Sequence, residues 1–90
     1  MELKILLTVE LNGADEVQRN SFEQALTNKR WVKFKHMQSA WQASFRDDVG
    51  EEQARATAQE DVASAAAEAG IQTYAAAMQA STALPSIFPS

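Results

Sequence analysis

Ninety residues carry twelve acids against eight bases, a formal net charge of −4, and an apolar fraction of 46 % that excludes a disordered chain. A chain of this length is expected to form one domain and to bury about 60–65 % of its unfolded surface. The absence of cysteine excludes disulfides, Cys-ligated zinc and thiol chemistry, and no apolar run reaches the roughly 18 residues a membrane helix needs.

Met1 to Leu11 alternates with period two. Leu3, Ile5, Leu7, Val9 and Leu11 share one face, and Lys4, Leu6, Thr8 and Glu10 the other. This pattern predicts a half-buried strand, ended by the turn pair Asn12-Gly13. The acid at Glu2 does not suit a signal peptide, so a cytoplasmic protein is the expectation. Asp15 to Asn28 reads as a helix, with Asp15 and Glu16 at its positive end, an apolar stripe of Val17, Phe22, Ala25 and Leu26, and Lys29-Arg30 at its negative end.

Trp31 to Met37 and Trp41 to Asp47 alternate as two strands joined around Gln38-Ser39, a hairpin signal. Alternation puts Val32, Phe34 and His36 inward in the first, with Trp31, Lys33 and Lys35 outward. In the second, Trp41, Ala43 and Phe45 face in, and Gln42, Ser44 and Arg46 face out. Val49 to Ala69 is helical by propensity, with Asp47 or Asp48 as candidate cap. Ala54, Ala58, Val62, Ala65 and Ala69 form a small-residue stripe suited to close packing, and Gly70 is the expected left-handed residue at its end. Ile71 to Ser81 is read as a strand, although its alanines suit a second helix broken from the first at Gly70. Thr82 to Ser90 holds Pro85 and Pro89 and is read as an extended tail.

The order strand, helix, strand, strand, helix, strand is that of the α+β ferredoxin-like βαββαβ sandwich: a four-stranded antiparallel sheet with two helices on one face. Residues 1–81 then form the domain, and 82–90 a tail able to dock on a partner chain. The open sheet face would gather Lys4, Lys33, Lys35 and Arg46 opposite an acidic helical layer.

No motif names a reaction, and neither a cofactor nor a metal is implied. His36 is the lone imidazole, but no Ser or Cys stands in a nucleophile context near it, and a structural role beside the hairpin is the default. Glu10 ends the first strand, and Asp47-Asp48 end the third. In this order of elements the chain resembles, at the level of fold, the ferredoxin-like nuclease families of CRISPR adaptation and of antitoxin ribonucleases, which place an acid near the end of strand one. That resemblance implies a Mg²⁺-dependent nuclease using Glu10, although the acid here is Glu and the Tyr-Asp pair common in the first family is absent. A second alternative is a nucleic-acid binder without sequence readout, using Lys33, Lys35 and Arg46. The central outward positions lack the aromatics that stack bases. The main expectation is a small non-enzymatic regulatory protein that forms a homodimer or binds a protein partner. Leu6, Trp31, Lys33, Lys35 and Arg46 would act on the sheet face and Leu84, Ile87 and Phe88 in the tail.

Overall fold

A computed structural model describes residues 3–34, 37, 39–46 and 48–82. Six elements follow one another: β1 (Leu3–Leu11), α1 (Glu16–Asn28), β2 (Val32–Lys33), β3 (Ala40–Phe45), α2 (Glu51–Ala69) and β4 (Tyr74–Ser81). The strands make one antiparallel sheet in the order β2-β3-β1-β4. The fold is therefore α+β, with the first strand at the centre between the third and the fourth. No helix among the described residues is long and apolar enough to cross a membrane.

The odd residues of β1 drive the packing. Ile5, Leu7 and Val9 are buried, and they share one core with Phe22, Ala25 and Leu26 of α1 and with Ala54, Ala58, Val62, Ala65 and Ala66 of α2. Val17 departs from the expected stripe of α1 and is 74 % exposed. The buried stripe of α2 is alanine apart from Val62, which lets the helix lie close to α1 and to strands β1 and β4. Small side chains leave little slack, so extra volume has nowhere to go.

Side chains close the start of α1, and backbone geometry closes the C-terminal ends of both helices. Asp15 caps α1: its Oδ1 accepts from the Gln18 amide at 2.8 Å, and Gln18 Oε1 accepts from the Asp15 amide at 3.1 Å, a reciprocal capping box. The Gln18 side-chain amide donates in turn to the Gly70 carbonyl at 3.1 Å, tying the start of α1 to the end of α2. At that end Gly70 takes the expected left-handed conformation (φ 72°), and Gly70 and Ile71 donate to the carbonyls of Ala67 and Ala66. Helix α1 ends in the same way. Arg30 (φ 72°) donates to Thr27 and Trp31 donates to Leu26, each at 3.0–3.1 Å. This is the Schellman closure, which presses the residue after the left-handed position onto the helix's last turn. Those residues, Trp31 and Ile71, are both buried.

The start of α2 departs from expectation. Gly50 occupies the cap position without a side-chain bond, and Asp48 pairs instead with Arg46; Asp47 lies outside the described residues. The segment after Gly70 is a strand and not a second helix. Tyr74 to Ser81 pair with Leu11 to Lys4, so the sheet overrides the helical preference of its alanines.

Two stability changes follow. Ala58→Leu should lower stability by about 1–3 kcal/mol through overpacking. Arg30→Gly should raise it by about 1 kcal/mol by relieving a left-handed non-glycine residue. Midpoints of urea unfolding check both.

Candidate interaction face

The second strand carries the main correction to the alternation. Val32 sits opposite Gln42, and Lys33 opposite Trp41, so the odd residues of β2 share the core side with Trp41. Trp31 is therefore not on the open face. It is 2 % exposed, and its indole Nε1 donates to Asp61 Oδ2 of α2 at 2.9 Å. Lys33 also points to the helical side, where its Nζ meets Glu23 Oε1 of α1 at 3.0 Å. Val32, expected inward, is 62 % exposed. The physical cause is the closure of α1: once Arg30 turns the chain, Trp31 lands on Leu26 and the phase of the strand is set.

The outward row is consequently not basic. It comprises Lys4, Leu6, Thr8 and Glu10 on β1, Val32 on β2, Ala40, Gln42 and Ser44 on β3, and Ala75, Ala77, Gln79 and Ser81 on β4. Among these described positions the charges are Lys4 at one end of β1 and Glu10 at the other. Arg46 lies just beyond β3, where it faces Asp48 at 3.5 Å with both side chains mostly exposed. Of the other expected interface residues, Leu6 is outward and half-buried, while Lys35, Leu84, Ile87 and Phe88 lie outside the described residues.

Leu6, Gln42 and Val32 are cross-strand neighbours, with Gln79 on the far side of Leu6. They form a strip across the whole sheet in which two aliphatic side chains flank an amide. Among the described residues Gln42 Oε1 is buried there without a hydrogen-bond partner. An unsatisfied buried acceptor costs about 1–3 kcal/mol, a cost a partner that donates to it would remove. Alternation does predict Gln42 to be outward. Its missing partner depends on the packing around it and leaves no trace in the residue pattern.

Among the described residues Glu10 does not converge with a set of metal ligands. Glu10 is exposed at the end of β1, where it lines a cleft of about 360 Å³ with Asn12, Glu23 and Ser39. Glu23 is held by Lys33. His36 lies outside the described residues, and among those described no group of three His, Cys, Asp or Glu could hold a metal ion. No protein-family model, curated protein or solved structure matches the chain.

The Trp31–Asp61 bond is open to a direct test. Asp61→Ala leaves a buried indole N–H unpaired and should cost about 1–3 kcal/mol, with Asp61→Asn recovering much of it through its carbonyl. Glu68→Ala, which removes the exposed pair with Lys29, should cost about 0–1 kcal/mol. Urea titrations followed by tryptophan fluorescence separate the three.

Proposed function

We propose that this protein is a ferredoxin-like βαββαβ sandwich that works by association, binding a second copy of itself across the open face of its sheet. The element order and the strand order β2-β3-β1-β4 support the fold reading. The observation that carries the functional reading is the strip of Leu6, Gln42 and Val32. It sets exposed aliphatic surface beside a buried acceptor without a partner, on a face whose middle is uncharged.

The ends of β1 supply the orientation. A two-fold axis lying in the interface and running across the strands sets β1 antiparallel to β1 of the second copy. Lys4 then comes opposite Glu10 of the other chain, twice over, and Leu6 opposite Thr8. A parallel arrangement would instead stack like charges. Sheet strands about 4.8 Å apart and about 22 Å long present roughly 400 Å² per copy. Two copies together cover about 800 Å², below the usual range of stable interfaces, so this contact alone gives a weak, reversible association of micromolar order.

Light scattering behind size exclusion tests this reading. Val32→Glu should halve the solution mass relative to wild type at equal concentration. Lys4→Glu and Glu10→Lys should each weaken association, and the double reversal should restore it. A mass unchanged by Val32→Glu would remove the face as the interface.

A further inference from the structure

The two edges of the sheet differ. On one side β2 is two residues long, and its hydrogen bonding with β3 is extended by one bond, from the Phe34 amide to the Ala40 carbonyl. On the other side β4 runs for eight residues, Tyr-Ala-Ala-Ala-Met-Gln-Ala-Ser, without a charge, a proline or a glycine. Soluble proteins blunt a long edge with lysine, proline or a bulge, because its outer backbone groups are a template for another strand. Strand β4 carries none of these devices.

The phase of the hydrogen bonding shows which groups are offered. The Asn12 amide donates to the Thr73 carbonyl, one step beyond the paired Leu11 and Tyr74. In an antiparallel ladder, bonded pairs recur at every second residue. Ala75, Ala77, Gln79 and Ser81 therefore turn their backbone groups toward β1, while Tyr74, Ala76, Met78 and Ala80 turn theirs outward. Among the described residues no strand lies beyond β4.

We infer that the β4 edge pairs antiparallel with β4 of a second copy, joining two four-stranded sheets into one of eight strands. The choice of occupant rests on three observations. Strand β2 is too short to serve as the complement of an eight-residue edge, so head-to-tail pairing of β4 with β2 is disfavoured, and the two-fold contact closes on itself. Strand β4 is also compatible with its own image. Centred on Ala77, the pairing sets Tyr74 against Ala80 and Met78 against Ala76, large beside small, and brings no like charges together. Finally, this register matches outward backbone groups with outward ones throughout, so the N–H and C=O groups of Ala76 and Met78 bond their counterparts.

This contact uses a different surface from the face proposed above and stands apart from it. The two-fold axis is perpendicular to the sheet, so the helices of both copies stay on one side and the two open faces merge into a single surface of twice the area. With the face disabled by Val32→Glu, the edge still holds a dimer.

The test uses the full chain carrying Val32→Glu, compared with the same chain carrying in addition Ala76→Pro or Ala76→Lys. The Ala76 amide points away from β1, so proline there removes an edge donor without breaking the internal ladder. Lysine keeps the backbone intact and sets a charge at the edge. The expected result is a mass near twice the 9.9 kDa of one chain for Val32→Glu, with each second change weakening that dimer at least tenfold. Hydrogen exchange gives the independent signature. The amides of Ala76, Met78 and Ala80 should be protected, and the protection should increase with protein concentration. Fast exchange at those amides at every concentration would overturn the inference. So would protection independent of concentration in a monomer, which would mean that residues 83–90 of the same chain cover the edge. Loss of the dimer through Ala76→Pro with retention in Ala76→Lys would point to misfolding and also count against it. If the edge amides are protected as expected while Val32→Glu leaves the wild-type mass unchanged, the face proposal fails and the edge stands.

Discussion

The structure turns on the way α1 ends. Arg30 adopts a conformation that favours glycine, and the next residue, Trp31, folds back over Leu26 into the core. A buried indole needs an acceptor for its N–H, and Asp61 of α2 provides one. A single side chain thus joins the end of one helix, the start of a strand and the middle of the other helix. Everything downstream inherits its phase: Lys33 falls beside Glu23 on the helical side, and Val32 falls on the open side. The same closure at Gly70 buries Ile71 and launches β4, so both helix-to-strand connections rest on one local device.

Where one face of a strand was plainly apolar, its placement could be read from the residues. The alternation of Leu3 to Leu11 has a single sensible phase, because one row is wholly aliphatic, and the central strand lies accordingly. Gly70 announced the end of α2, and the alanine stripe through Ala54, Ala58 and Val62 marked its buried side. The segment from Trp31 to Phe34 has large apolar residues on both rows, so alternation could find a strand there but not its direction of facing. What decides between the rows is a left-handed arginine, a conformation propensity would assign to glycine or asparagine. The candidate face carries that one ambiguity: Leu6, Gln42 and Lys4 stand where alternation puts them, whereas Lys33, part of the expected basic set, lies on the helical side. Alanine in β4 was equally indecisive on its own, since only pairing with β1, some seventy residues away in sequence, makes it a strand.

Reversing the phase of β2 changes the kind of partner the surface suits. Cations at Lys33 and an aromatic at Trp31 would have favoured phosphate and base contacts. With both turned inward, the described face is aliphatic and amide-bearing in the middle and charged only at the two ends of β1. Such a surface gains little from a polyanion and more from another surface of the same kind. In the proposed assembly the unequal edges act in the same direction, because an edge with no long complement on the opposite side of the sheet favours two-fold closure over a growing fibre.

The central position of β1 also governs when the fold can form. Its neighbours are the third and the last strands, and its longest pairing, with β4, joins the two ends of the described chain. During synthesis β1 emerges before the other described strands and its second neighbour, β4, after them. Ile5 and Leu7 therefore wait, with one side of their strand unmade, until Ala80 and Met78 have been synthesised. Closing so long a loop makes folding slow for a chain of this size. The interval during which the nascent chain is most apt to stick to others, or to be held by a chaperone, is set by the order of the strands and not by the strength of the finished core.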